Sequence, residues 1–418
     1  MSVRLRSLVA VLVVITAVVP AWAGSADLSR LVVIGDSLSA GYQNGSLHEA
    51  HQPHGYAALV AAQAGTDLAL PLIAAPGIPN IFSLVDPGPP PIIVPEPGVS
   101  TGRLDPFTQT MNLAVPGHNV GDALTKRPDA PIDSLTDLIL GLPGLFGGIA
   151  RSQVEWAETL APATMLVWIG NMDALTAAIV ADSAFLTPVA EFEASYSELM
   201  TRLAVTGATL VVANIPDVTV IPFLTPAEQV AAEVATQTGI PPAIVQILLG
   251  IGPGDYVTPD AFGLIPGILM NPASGPLPGN VVLTAAEVTE IQSATADYNA
   301  IIAAQAATHG AALVDIHALT DHLKARGEVV GGRRLTTEFL GGLFSLDGVH
   351  PTNTGYAVIA NEFIQALNTK FAAAIPRVNV RSVEREDPLV LPGVGHPASA
   401  LGHVTHETAA SVRAVLGR

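Results

Sequence analysis

Five short apolar runs limit this chain to few folds. They are Leu31–Ile34, Met111–Val115, Met165–Ile169, Leu210–Ala213 and Ala312–Ile316. Continuous runs rich in branched residues, most followed within two residues by Gly or Asn, suit strands buried on both faces. Helical stretches separate them. Tyr56–Ala64, Ser152–Leu160 and Val189–Val205 read as helices, and Thr284 with Glu287 forms a capping box opening a long one. Val288, Ile291, Tyr298 and Ile302 give that helix an apolar stripe, and Thr354–Ala374 reads as the final helix. Strands alternating with helices at these intervals predict a parallel sheet covered on both sides. No segment repeats.

The ends of the chain read differently. Arg4 and Arg6 precede an apolar run from Leu8 to Val19, and Ala21-Trp22-Ala23 offers small residues where a signal peptidase cuts. Residues 1–23 therefore read as a secretory signal peptide, with export to a periplasm or the medium. The run is short for a membrane span, and no later stretch of spanning length is free of Pro, Gly or charge. The domain is expected over residues 24–376. The polar, Gly- and Pro-bearing tail at 377–418 is expected to be mobile, with no element assigned to it.

There is no cysteine, which removes disulfides and thiolate chemistry. The net charge of −18 would become −20 once Arg4 and Arg6 are cut away. Such an acidic chain is a poor partner for nucleic acid or for anionic membrane surfaces. Apolar residues make up 49% of the chain and aromatics only 5%, so the apolar excess fills a core or lines a cleft.

Two insertions interrupt the alternation. Residues 71–106 carry ten prolines, a density that forbids helix and central strand. Ile73, Ile81, Phe82, Ile92 and Ile93 predict an extended loop pinned to the surface rather than a solvated linker. The other insertion, 219–278, is rich in Pro and Gly and contains the apolar segments 244–249 and 262–270. Leu135–Ile149 reads as a cleft or lid element. His48, His51 and His54 are spaced by three, but loop imidazoles without nearby carboxylates read as solvated rather than as metal ligands. Gly98-Val-Ser100-Thr-Gly102 has the spacing of a nucleophile elbow, yet it lacks the strand before and helix after that such an elbow needs.

The chemistry concentrates at two places. After the first run comes Gly35-Asp36-Ser37-Leu38, which puts a serine hydroxyl at the carboxyl edge of the sheet, where open α/β folds bind ligands. Just before the final helix stands Ser345-Leu-Asp347-Gly-Val-His350-Pro351. A serine needs a base to take its proton, and the base needs a partner to fix its tautomer. An Asp and a His three residues apart on one turn can supply both.

These two blocks, in this order, resemble the SGNH hydrolases, or GDSL lipases and esterases. The resemblance runs from Leu31 to Pro351. It implies a three-layer α/β/α sandwich with a five-stranded parallel sheet, flavodoxin-like in layout. It also implies hydrolysis of esters without metal or other cofactor through an acyl-serine intermediate. Ser37, Asp347 and His350 would be catalytic, with Ser37 as nucleophile. The oxyanion donors of the family map onto the backbone N–H groups of Ser37 and Gly117. A side-chain amide after the third strand would be the last donor, but Gly170-Asn171-Met172-Asp173 departs from the family pattern there. Met172 stands where the family has Asn, and a thioether donates nothing. Either the enzyme runs on two backbone donors, or a backbone shift brings Asn171 in as the third; Asp173 then braces the loop.

The resemblance leaves the substrate open. The insertions are apolar and short of aromatics, whereas sugar clefts want Trp and Tyr faces. This favours an apolar acyl ester, small-molecule or lipid, over an acetylated carbohydrate. A catalytically impaired binding protein on the same fold is the competing class.

Overall fold

The computed structural model describes residues 26–87, 91–142, 148–390 and 404–416. The proposed signal peptide lies outside them. The elements that position the site are strand β1 (Leu31–Gly35), helix α1 (Ser37–Ala40), α2 (Tyr56–Ala64), α3 (Val120–Thr125) and α4 (Gln153–Leu160). Next come β2 (Thr164–Trp168), α5 (Asn171–Val180), α6 (Val189–Val205) and β3 (Thr209–Ala213). The second insertion holds α7 (Ala227–Thr238), α8 (Pro242–Leu249) and α9 (Asp260–Met270). Then follow α10 (Ala285–Thr308), β4 (Ala312–Val314), α11 (Ile316–Arg326), α12 (Asn353–Phe371), α13 (Val380–Glu386) and α14 (His406–Leu416).

The central sheet is parallel, in the order β1-β2-β3-β4, with Val33 opposite Leu166, Leu166 opposite Val211 and Val211 opposite Ala312. The expected strand Met111–Val115 lies parallel beside β1. Val33 N donates to Met111 O, Leu113 N to Val33 O and Val115 N to Gly35 O. Only Asn112 pairs as a strand residue, opposite Val33. The Asn112 side chain explains the irregularity: it donates to Ser39 O and accepts from Ala114 N, drawing the backbone off the ladder. The spatial order is thus 111–115, then β1 to β4, with four regular strands and an irregular fifth at the edge.

Side chains alternate across a strand, and both faces of this sheet are apolar. Val32, Ile34, Met165 and Val167 pack with α4, α5, α6 and α10. Leu31, Val33, Leu166, Trp168 and Val211 pack with α2 and α12. On that second face Tyr56 stacks on Phe363 at 4.3 Å between ring centroids and meets Trp168 edge-on at 5.4 Å. Each such fully buried ring contributes about 1.5–3 kcal/mol by leaving water. This is an α/β fold with helices on both sides of a parallel sheet.

Several expected helices lie where the sequence puts them. The capping boxes Ser152 with Glu155 and Thr284 with Glu287 are both formed, at the starts of α4 and α10. Ile291, Tyr298 and Ile302 of α10 are buried. The Pro-rich segment contains a two-stranded antiparallel ribbon, Phe82–Asp86 with Ile92–Pro95, away from the central sheet. The second insertion builds its own small core from residues such as Val230, Val245, Leu249, Ala261 and Ile265.

The reading of the C-terminal end needs correction. Thr354–Ala374 was expected to close the fold, yet α13 and α14 follow α12. Val404, Ala409, Val412 and Leu416 are buried in the main core. Ala409, Val412 and Leu416, spaced by three and four within α14, form an apolar helical stripe, diluted in the sequence by the polar residues between. Among the described residues no helix is long and apolar enough to cross a membrane.

Candidate active site

β1 delivers Ser37 to the sheet edge through a turn with no spare room. A Cβ on Gly35 would lie 2.2 Å from Ser39 Oγ and 2.5 Å from the Trp168 carbonyl, so only glycine fits. Asp36 caps α1 by accepting the Leu38 N–H at 3.0 Å. Ser37 opens that single turn and is 1% exposed. Gln153 clamps the strand end from α4: its Oε1 accepts from Gly35 N and its Nε2 donates to Gly35 O, both at 3.0 Å. The same amide lies 3.1 Å from His118 Nδ1, and His118 Nε2 reaches Thr136 Oγ1.

The Asp347–His350 turn is built from both ends of the chain. Asp347 Oδ2 lies 3.0 Å from His350 Nδ1 and accepts the Gly45 N–H at 2.8 Å. Its Oδ1 accepts the N–H groups of Val349 and His350. Asn44 fixes the turn further, since its N–H donates to Ser345 Oγ and its Oδ1 accepts from Leu346 N. Asn44 takes a positive φ of 53°, a conformation Asn tolerates better than most residues. Burial pushes the Asp347 carboxyl up, but His350 and the backbone N–H groups outweigh it and hold the pKa below the usual range.

An ionised carboxylate can only accept, so the proton between these groups sits on His350 Nδ1 and leaves Nε2 as the basic lone pair. Nε2 is buried and has no hydrogen-bond partner. The ring packs on Tyr42, 4.6 Å between centroids. Ser37 and His350 line one cavity of about 70 Å³, together with Leu38, Met172, Leu175 and Val218. Its far wall comes from Ile316, Leu319, Leu323, Leu343 and Phe344.

Gly117 follows the irregular edge strand with φ of 82°. The altered block opens α5. Asn171 Nδ2 donates to Asp36 Oδ2 at 2.8 Å, which commits one of its two hydrogens beneath the nucleophile turn, while its Oδ1 is buried without a partner. Met172 is buried and lines the cavity. Asp173 accepts from Val120 N, which ties α5 to α3, and the two acids are both shifted. Burial lifts Asp36 to about 6 and Asp173 to about 7.

Of the residues singled out in the sequence, Ser37, His350, Asn171 and Met172 line one cavity, Asp347 reaches it through His350, and Gly117 is not among the lining residues. Ser100 does not join them: its hydroxyl donates to Ala74 O in the Pro-rich loop. The histidines of the 48–54 loop lie outside the cavity lining; His48 Nδ1 accepts the Ala50 N–H, and its ring lies 5.8 Å from that of His51. The apolar insertions contribute less to the cavity than expected. Of residues 219–278 only Val220 and Ile221 line it, because Phe223 and Leu224 pack into the main core and the buried apolar residues from Ala227 to Leu277 into their own. Ile139, Leu140 and Leu142 are buried in the described part of the 135–149 segment, and residues 143–147 lie outside the described ones. Sequence reasoning missed Asn44, Gly45 and Gln153. An Asn-Gly pair signals a tight turn, but nothing local marks a glutamine as a strand clamp.

The chain belongs to the GDSL-like Lipase/Acylhydrolase family, the SGNH hydrolases, matching it over residues 31–363; this is a family of carboxylic ester hydrolases. No curated protein matches the sequence. Among solved structures it is similar to LAE5, described as an alpha/beta hydrolase enzyme from the metagenome of Lake Arreo, Spain. That match has 15% identity and a TM-score of 0.37, covering 83% of this chain and 98% of the other. Phospholipase A1 from Streptomyces albidoflavus NA297 matches at 17% identity and TM-score 0.33, over 82% of this chain and 100% of its own. A mutant of Axe2, an acetyl-xylooligosaccharide esterase from Geobacillus Stearmophilus, matches at 12% and 0.36, over 82% and 95%.

Proposed function

We propose that this protein is an exported serine esterase that cleaves esters of apolar acyl groups, with Ser37 as nucleophile, His350 as base and Asp347 as its orienting partner. The observation that carries this reading is the buried Asp347–His350 pair, whose unpartnered Nε2 belongs to a residue lining the same cavity as Ser37.

In this reading Nε2 takes the Ser37 proton as Oγ attacks the acyl carbonyl. The tetrahedral intermediate places its oxyanion against the N–H groups of Ser37 and Gly117. The imidazolium then protonates the leaving alkoxide, the ester C–O bond breaks and an acyl-serine remains. Water, deprotonated by the same nitrogen, attacks the acyl carbon; the bond to Ser37 Oγ breaks, the imidazolium returns its proton to that oxygen, and the acid leaves. Asp347 holds the tautomer and balances the imidazolium charge without taking the proton. The Asn171 amide, half committed to Asp36, is at most a supporting donor.

The apolar acyl preference is supported by the cavity wall, to which Leu38, Leu175, Ile316, Leu319, Leu323 and Phe344 contribute alongside Ser37. Export is supported by the leader-like residues 1–23, and recovery of a chain starting at Gly24 outside the cytoplasm would test it. Fluorophosphonate labelling of wild type, Ser37→Ala and His350→Ala tests the triad: wild type labels, and the variants do not. A series of p-nitrophenyl esters tests the acyl preference. Activity should rise from acetate to medium chains, and a maximum on acetate would favour the acetyl-carbohydrate reading instead.

A further inference from the structure

The end of the chain lies on the candidate active site. A Cβ on Gly117 would stand 2.5 Å from the Val415 carbonyl oxygen, in the last turn of α14. A Cβ on Gly348, in the turn between Asp347 and His350, would stand 2.3 Å from Val404 Cγ2. The segment 404–416 therefore packs against the turn of the catalytic pair at Gly348 and against Gly117. Last-turn carbonyls of a helix lack intrahelical partners and carry the negative end of its dipole. One of them faces the residue assigned to steady a negative oxygen.

A clip holds the segment in place. Asp260, at the start of α9, pairs with both His406 and Arg413. Arg413 Nε also donates to Ile179 O, and its guanidinium lies 5.9 Å from the centre of the Phe223 ring. Ser37 is 1% exposed and His350 fully buried, and the cavity they share holds about 70 Å³. Ligand sites commonly hold about 300–1,000 Å³. A cavity of that size is too small for an ester, so a packed element must move before substrate reaches Ser37.

We propose that residues 404–416 are an autoinhibitory strap, a built-in occupant that must leave Gly117 and Gly348 before substrate enters. The inference rests on the hydrolase reading above and adds regulation to it. The strap competes with the ester for the oxyanion side of the site, and the Asp260 clip sets how often it opens.

The test uses the full chain with Arg413→Ala and, separately, Asp260→Asn. The readouts are the rate of fluorophosphonate labelling at Ser37 and kcat/KM on p-nitrophenyl acetate. Both variants should label and turn over about tenfold faster than wild type, equivalent to about 1.4 kcal/mol of lost closure. A synthetic peptide of residues 404–416 added to the Arg413→Ala protein should slow it again, competitively with ester. Variants that remain folded by circular dichroism but label no faster than wild type would overturn the strap and leave the hydrolase standing. Absence of labelling in every chain, wild type included, would overturn both.

Discussion

Asp347 holds the His350 ring nitrogen at 3.0 Å with the same carboxylate oxygen that takes the Gly45 N–H. One atom thus joins the base to a loop some three hundred positions earlier in the chain. Replacing Asp347 with Asn puts an amide where this oxygen must accept two donors. We expect the imidazole to lose its working tautomer and kcat to fall by about 10³–10⁴. Ester hydrolysis by the folded variant checks this; a fall below tenfold would show that the pair is structural.

Gln153 closes both backbone groups of Gly35. Gln153→Leu keeps the volume and leaves the buried Gly35 N–H without its partner, while Gly35 O keeps the Val115 N–H. One such group costs about 1–3 kcal/mol, so urea unfolding should report a loss of that order. Unchanged stability would mean that water or a backbone shift replaces the amide.

Met172 lines the cavity where the family has an amide donor, and the Asn171 amide is tied to Asp36. Met172→Asn should therefore raise kcat by at least tenfold, since one oxyanion donor is worth about 10²–10³ in other hydrolases. Asn171→Ala should mainly lower stability by stripping Asp36 of a partner. Loss of activity as deep as that of Ser37→Ala would instead make Asn171 the working donor.

Burial lifts Asp36 to about 6 and Asp173 to about 7, against a usual value of 3.8. A carboxyl with a raised pKa holds its proton more tightly folded than unfolded. The stability it lends is complete below the usual value and is lost as pH rises through the folded one. The melting temperature should fall from about pH 4 to about pH 8 on this account. Asp173→Asn, which can still accept from Val120 N, should flatten the decline; an unaltered slope would remove Asp173 from the explanation.

Much of the site could be read locally. Gly35-Asp36-Ser37 and Asp347-x-x-His350 each fit within one turn, so their chemistry is written in a few adjacent letters. The same holds for the capping box at Thr284, whose partner Glu287 lies three residues on. Asn112 shows where such reading stops. The apolar run around it predicts a regular strand, and a side-chain bond to Ser39, from an element far away in sequence, makes it irregular.

By itself the sequence determined the parallel sheet, the serine at its edge and the acid–base pair, because strand periodicity, glycine-forced turns and i, i+3 spacing are short-range properties of the chain. Only the tertiary structure decided that Asn44 and Gly45 would brace Asp347, that Gln153 would clamp Gly35, and that the last helix would cover Gly117. Those contacts join segments whose separation along the chain carries no periodic signal; packing and hydrogen-bond completion in the folded core select them.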